Sequence, residues 1–291
     1  MGGMAWHYLQ YVLGFHQLGC DVLYIEDTGQ WTYDPEINSF TEDHTKNIAY
    51  LAQLMKSYGL GDNWSFRTMD GKYIGKSKKA VLNAFRNADL FVNVSGSCWY
   101  RPEYQTCNCA VYLDTDPGYN QMKIAKVAEG CDDTDLNYSV KRMMDHHYHF
   151  TFGENIGQDD CTLPTNYFKW HTTRQPIILD LWNTHPCISN NAFTTVMSWN
   201  PYENSLEFHG QKYYGKEAHL KRVIKLPSTC GAAMELAISG KAPLDKLIAN
   251  GWGVVDARDI SKSIDSYRNY IQSSRGEFSV AKDLYVSTNS G

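Results

Sequence analysis

The chain has 291 residues, of which 43% are hydrophobic, and it carries a formal net charge of −5. This length fits two domains of ordinary size, and the hydrophobic fraction excludes a chain that is disordered throughout. The negative net charge argues against non-specific nucleic-acid binding, which needs a basic surface. No run reaches the roughly 18 apolar residues of a membrane-spanning helix. The sequence therefore predicts a cytoplasmic protein, for which only peripheral contact with a membrane is left open.

Short apolar strands alternate with helices along the first half of the chain. Helical spacing predicts helices over 5–18, 40–58, 77–87 and 121–128, and compact apolar runs predict strands over 22–25, 90–94, 110–113 and 149–152. Such alternation is typical of α/β proteins with a parallel sheet. The predicted fold class is therefore α/β, with a first Rossmann-like domain over 1–157.

A segment rich in Pro, Thr, Asn and Trp separates this series from a second one. Residues 158–191 show neither helical nor strand periodicity, which predicts an interdomain connector. Beyond it, the pattern predicts strands over 194–199 and 253–255 and helices over 216–225, 234–239, 244–249, 261–272 and 278–286. Residues 192–291 are thus predicted to form a second α/β domain.

The Gly2-Gly3 pair at the start of the first helix is a candidate binding element. A helix N-terminus presents unpaired N–H groups, and glycine lets a phosphate approach the backbone closely. The same turn can also serve only to pack a helix on a strand, and no G-x-G-x-x-G dinucleotide pattern is present. His7, one turn further on and close to this glycine pair, is a candidate catalytic residue.

Asp114 and Asp116 follow an apolar strand in the order D-T-D-P-G. Three interpretations are open: turn and cap chemistry ahead of Pro-Gly, hydrogen bonds from Asp116 to hydroxyl groups of a substrate, and a divalent metal held on a diphosphate. Asp116 is therefore also a candidate catalytic residue.

Three histidines cluster in the segment DHHYH at 145–149. Alternation along a strand predicts that His147 and His149 share one face and that His146 lies on the other. Two imidazoles beside a carboxylate could bind a metal or contact a substrate, and a structural role is the plain alternative. No Cys or His lies at a standard zinc spacing from them.

Several segments together resemble GT-B glycosyltransferases, and a bacterial group of family 1/4-like proteins in particular. The opening segment 1–27 (MGGMAWHYLQYVLGFHQLGCDVLYIED) is similar to their Gly-Gly loop, first helix and second strand, with Cys20 in place of the usual histidine. Further similar segments are 92–96 (VNVSG), 112–118 (YLDTDPG), 149–154 (HFTFGE) and 274–282 (SRGEFSVAK). The similarity thus extends over nearly the whole chain.

This resemblance implies a metal-independent transferase that uses no cofactor and moves a sugar from a nucleotide-sugar donor to an acceptor hydroxyl. The N-terminal domain would hold the acceptor, which is a saccharide, a lipid or a small molecule. The implied acceptor-binding residues are Asp114, Asp116, His147 and Glu154. The implied donor-binding residues are Gly2, Gly3, Lys216, Glu277 and Lys282. A fixed cation suits this chemistry, because a leaving nucleoside diphosphate gains negative charge as the glycosidic bond breaks.

The resemblance also implies that parts of that fold are missing here. The first strand of the N-terminal domain has no counterpart, and neither do the glycine-rich turn, phosphate-binding helix and ribose-binding acid of the donor domain. A fragment truncated at both ends is therefore expected. Two other functions stay open. One is a metal-dependent hydrolase or transferase built on Asp114, Asp116, His147 and His149, and the other is a non-catalytic module that binds nucleotide or sugar.

Overall fold

A computed structural model describes residues 2–34, 36–37, 39–165, 167–182, 190–199 and 206–291. The chain forms two compact units. The N-terminal unit consists of Gln10–Pro176 with Ser290–Gly291, and the C-terminal unit consists of Met1–Leu9 with Ile177–Asn289. These units are defined by packing, whereas the acceptor domain, connector and donor domain are functional assignments. Their ranges, 1–157, 158–191 and 192–291, stay a prediction.

The N-terminal unit combines helices with mainly parallel strands. Its helices are α1 (Gly2–Gln17, which begins in the C-terminal unit), α2 (Thr45–Ser57), α3 (Lys78–Asn87), α4 (Tyr119–Ala128) and α5 (Thr134–Met144). Its strands are β1 (Tyr24–Glu26), β2 (Thr32–Asp34), β3 (Ser39–Thr41), β4 (Trp64–Arg67), β5 (Tyr73–Gly75), β6 (Phe91–Val94), β7 (Ala110–Asp114), β8 (Tyr148–Thr151) and β9 (Trp170–Thr172). Strands β6-β7-β8-β9 form a parallel sheet in that order. In a second, three-stranded sheet, β4 pairs parallel with β1 and antiparallel with β5. Strands β2 and β3 form a separate hairpin.

Helix α3 shows how local sequence and packing agree in this unit. The Ser77 side chain accepts a hydrogen bond from the Ala80 N–H and caps the helix. Val81 and Phe85, four residues apart on one face, are both buried. Phe85 stacks on Tyr104 with ring centroids 4.4 Å apart. The buried face of α3 thus fixes the loop that follows β6.

The C-terminal unit is built on one parallel sheet. Its strands are β10 (Asn190–Ser198), β11 (Leu206–Phe208), β12 (Gln211–Tyr213), β13 (Met234–Ser239), β14 (Gly253–Asp256) and β15 (Ser274–Glu277). Its further helices are α6 (Glu217–Arg222), α7 (Leu226–Cys230), α8 (Leu244–Ala249), α9 (Ala257–Ile260), α10 (Ile264–Ser273) and α11 (Asp283–Thr288). The parallel sheet has the order β14-β13-β10-β15, and β11 and β12 form a hairpin. Leu220, Leu236, Leu247 and Trp252 contribute to its core.

The strand order creates a topological switch point between β10 and β15. Strands β10, β13 and β14 follow one another towards one edge, and the chain then returns to the opposite side of β10 to form β15. In open parallel sheets, ligands bind outside the carboxyl ends of the strands at such a point. The residues that follow β10 and β15 are therefore the expected place for a ligand in this unit.

The α/β class with parallel sheets is confirmed, but the helix predicted over 234–239 is wrong. These residues form the strand β13, which lies between β14 and β10. Leu236 and Ala237 are completely buried, as expected for a central parallel strand covered on both faces. A segment of six residues with four apolar side chains does not by itself distinguish such a strand from a buried helix.

Other boundaries also differ from the predictions. The helix predicted from residue 40 begins at Thr45, because 39–41 form strand β3. The helix predicted over 278–286 is helical only from Asp283, and the preceding strand β15 was not predicted. The predicted connector contains β9, which pairs with β8. Within the ranges that the structure describes, no helix combines the length and apolarity needed to cross a bilayer.

Candidate functional site

Three of the predicted donor-binding residues lie close together at the switch point of the C-terminal unit. Lys216 is the N-cap residue of α6, which comes after β10 and the β11-β12 hairpin along the chain. Glu277 is the last residue of β15. The Lys216 ammonium is attracted by the Glu277 carboxylate and repelled by the Lys282 ammonium. The structure thus groups residues from two distant parts of the sequence where the sheet topology favours a ligand.

The charge on Lys216 is controlled mainly by burial. Its side chain is half-buried, and desolvation lowers the pKa of Lys216 below its ordinary value. The Glu277 carboxylate raises this pKa, and the Lys282 ammonium lowers it. Lys216 thus interacts with one carboxylate and with one other ammonium group. An anionic ligand close to Lys216 would favour its charged form.

Gly2 and Gly3 lie against helix α10 in the same unit. A Cβ atom at Gly2 would overlap the carbonyl oxygen of Ser263, and one at Gly3 would lie 3.1 Å from Cε2 of Tyr267. Tyr267 in turn lies near the site, since burial and then the Glu277 carboxylate raise its pKa. Close packing is therefore sufficient to explain the glycine pair. Contact between these glycines and a donor stays a prediction.

The N-terminus of α1 is already hydrogen-bonded in part. The Gly2 N–H donates to the Ser261 carbonyl oxygen at 2.7 Å, so this group is used within the protein. His7 is half-buried one turn further on, with its ring 5.1 Å from the ring of Tyr8. A catalytic role for His7 stays a prediction.

A histidine–aspartate pair near Lys216 and Lys282 in sequence is not among the predicted site residues. His219 Nε2 lies 3.2 Å from Oδ1 of Asp283, and Asp283 Oδ2 accepts a hydrogen bond from the Tyr214 N–H. His219 lies one helical turn after Lys216, and Asp283 directly follows Lys282. The carboxylate fixes the orientation of the imidazole. No sequence signal could have paired two residues that lie 64 positions apart.

Asp114, a predicted acceptor-binding residue, is buried at the end of β7 in the N-terminal unit. Its carboxylate accepts hydrogen bonds from the side chains of Asn120, Gln121 and Thr151 and from the N–H of Asp116. Burial raises the pKa of Asp114, and these hydrogen bonds oppose the shift. The carboxylate is thus occupied in ordering the loop from 114 to 121. Asp116, half-exposed in this loop, stays a candidate for contact with a substrate.

We expect the substitution Thr151→Val to lower the free energy of unfolding by about 1–3 kcal/mol. The Thr151 hydroxyl donates to Asp114 at 2.9 Å and accepts from the Gly153 N–H at 3.2 Å, so valine leaves two buried polar groups short of a partner. Thr195→Val is the matched control. Its buried hydroxyl has no partner among the described residues, and its removal should be neutral or stabilising. Urea denaturation of both variants checks this, and equal effects would contradict it.

The predicted sharing of one strand face by His147 and His149 is wrong. Strand β8 begins only at Tyr148, so His146 and His147 precede it. His146 and His149 are the buried pair, and desolvation lowers the pKa of both, that of His146 to about 4. His147 is exposed, and its Nδ1 accepts a hydrogen bond from the Ala110 N–H at 2.9 Å. His146 and His149 therefore belong to the core.

The remaining predicted acceptor residues lie at opposite ends of the sheet. Asp114 is the last residue of β7 and Glu154 follows the carboxyl end of β8, whereas His147 lies beside Ala110 at the amino end of β7. Four residue steps along a strand separate these ends by about 13 Å. Glu154 is exposed and forms a bidentate ion pair with Arg174 at 2.5 and 2.6 Å. Its contact with an acceptor stays a prediction.

The four residues considered for a metal site do not form one cluster. Asp114 is occupied by hydrogen bonds at one end of the sheet, and His149 Nε2 lies 2.9 Å from the Met143 carbonyl oxygen, to which it donates. His147 lies at the amino end of the sheet. Across the described part of the chain, no group of three or more His, Cys, Asp or Glu side chains is arranged to hold a metal ion.

No protein-family model, curated protein or solved structure matches this chain. The resemblance to GT-B glycosyltransferases therefore stays a prediction that depends on the segments quoted above. Function has to be inferred from the chemistry of the Lys216 site.

Proposed function

We propose that the C-terminal unit binds the diphosphate of a nucleotide sugar and that the protein is a glycosyltransferase of the GT-B type, with two Rossmann-like domains. The observation that carries this proposal is the grouping of Lys216, Glu277 and Lys282 at the switch point between β10 and β15. Its position at the switch point and its two ammonium groups both favour a ligand with phosphate groups.

Each residue of this group has a chemical role in the proposed reaction. Lys216 and Lys282 donate hydrogen bonds to the phosphate oxygens and stabilise the charge that develops on the leaving nucleoside diphosphate. A half-buried ammonium is effective in this role because the surrounding dielectric is low. The Glu277 carboxylate accepts hydrogen bonds from hydroxyl groups of the donor. The acceptor hydroxyl binds in the N-terminal unit, where Asp116 lies in the loop that Asp114 orders.

Thermal-shift measurements with UDP, GDP and ADP, each with and without Mg²⁺, test the proposal. We expect one of these nucleotides to raise the unfolding midpoint without a metal. A ligand at about 100 times its Kd stabilises a protein by about 2.7 kcal/mol, which corresponds to several degrees. The absence of any shift, or a shift that requires the metal, would contradict the proposal. Binding without sugar transfer would indicate a non-catalytic nucleotide-binding module instead.

A further inference from the structure

We propose that the N-terminal unit contains a second binding site, in which Arg142 holds a small oxyanion such as a phosphate or carboxylate group. A cavity of about 60 Å³ opens beside helix α5, and its lining includes Asn93, Gly96, Tyr112, Ser139 and Arg142. At roughly 10–15 Å³ for each water molecule, this cavity has room for about four waters. That space suits a single phosphate or carboxylate group and is too small for a whole nucleotide.

Arg142 supplies a positive charge that the protein leaves largely unused. Its half-buried guanidinium donates one long hydrogen bond, 3.4 Å, to the Cys98 carbonyl oxygen. It also lies over the rings of Trp99 and Tyr138, at 5.6 and 6.0 Å from their centroids. No carboxylate in the described ranges forms an ion pair with it. Because a guanidinium has five N–H donors, most of its capacity remains for a ligand.

Two hydroxyl groups add further donors to the same cavity. Asn120 Nδ2 donates to Tyr112 Oη at 3.2 Å, so this oxygen acts as an acceptor and its own proton remains for another partner. Ser139 forms no side-chain hydrogen bond with any residue that the structure describes. An oxyanion in this cavity would supply acceptors for these hydroxyl donors and for the Arg142 guanidinium.

The nearby carboxylates do not compete for Arg142. Asp27 forms a bidentate pair with Arg101, at 2.6 and 2.9 Å, and also accepts a hydrogen bond from Tyr104. Asp114 is fully occupied by the hydrogen bonds that order its loop. The positive charge of Arg142 therefore remains available inside the N-terminal unit.

Gly96 keeps this cavity open. Its φ of +59° is a left-handed conformation, and a Cβ atom there would lie 2.5 Å from Cε2 of Tyr112. A larger residue would displace the Tyr112 ring that lines the cavity. The glycine thus allows the loop after β6 to pass close to the tyrosine and leave room beside it.

Titration of the whole chain with inorganic phosphate, and separately with acetate, tests this site at constant ionic strength. We expect a saturable rise in the unfolding midpoint with at least one of the two anions, and the more effective anion identifies the ligand as a phosphoryl or a carboxylate group. Arg142→Gln should weaken the apparent affinity by about tenfold or more. Lys141→Gln is the matched control, because it removes the same charge from the exposed neighbouring residue and should leave the affinity unchanged.

A second variant keeps the test decisive if Arg142→Gln does not fold. Ser139→Met places a longer side chain at the cavity and leaves the arginine in place, so it should weaken anion binding to a similar extent. The proposal is overturned if neither anion stabilises the wild-type chain saturably. It is also overturned if Ser139→Met, or a folded Arg142→Gln, binds the anion as tightly as the wild type does.

Discussion

Replacement of Asp27 by alanine is expected to lower the free energy of unfolding by about 3–5 kcal/mol. The Asp27 side chain has no exposed surface, and it accepts two hydrogen bonds from Arg101 and one from Tyr104. Arg67 Nε lies 3.8 Å from the same carboxylate. Alanine would leave two largely buried guanidinium groups, 12% and 16% exposed, without their negative partner. Urea denaturation followed by circular dichroism measures the effect.

The exposed ion pairs of Lys46 provide the control for this prediction. Lys46 pairs with Asp34 and Glu36, but 58% of its side chain is exposed to solvent. Exposed pairs contribute little, because water and salt screen them. Lys46→Ala should therefore change the stability far less than Asp27→Ala does. A similar loss of stability in the two variants would contradict the prediction that the buried Asp27 carboxylate stabilises the fold far more than an exposed ion pair does.

The second large effect is expected at Lys216. Charge-assisted hydrogen bonds contribute about 1.5–3 kcal/mol, so Lys216→Gln should weaken the binding of the favoured nucleoside diphosphate by about 10- to 100-fold. Because desolvation lowers the pKa of Lys216, the binding should also weaken as the pH rises through a value below that of an ordinary lysine. Isothermal titration calorimetry at several pH values measures both effects.

Lys225→Gln is the matched control for Lys216→Gln. Lys225 is exposed and precedes helix α7, so its replacement removes the same charge from the surface of the same unit. We expect its nucleotide affinity and pH dependence to remain those of the wild type. An equal loss of affinity in both variants would indicate attraction by net charge alone, and would contradict a specific role for Lys216.

The sequence predicted the helices and strands best where a strong periodic pattern coincided with a clear boundary. Helix α3 is an example, since Ser77 caps it and Val81 and Phe85 recur on one face. The prediction was wrong for β13, because a short apolar run around Leu236 is compatible with either structure and only pairing with two neighbouring strands makes it a strand. Strand β15 was missed because Ser274–Glu277 has little β-propensity and depends on pairing with β10.

The residues of the candidate site are predicted in part, by the family resemblance and not by periodicity. The family resemblance points to Lys216, Glu277 and Lys282, but only the folded sheet brings these three residues near one another. The His219–Asp283 pair and the donors around Arg142 had no sequence signal, because their partners come from distant elements. The predicted faces of the histidines at 146–149 are wrong, because the sequence does not fix the start of β8 to within one residue and a shift of one residue exchanges the two faces of a strand.

Hydrogen exchange of the whole chain, with and without the nucleoside diphosphate that binds most tightly, examines the proposed donor site most directly. The proposal predicts slower exchange of backbone amides over 214–220 and 277–283, the segments that carry Lys216, Glu277 and Lys282. Amides in the loop at 114–121 should exchange at unchanged rates in the presence of nucleotide alone. Protection confined to that loop, or no protection over 214–220 and 277–283, would contradict a diphosphate site at the switch point of the C-terminal unit.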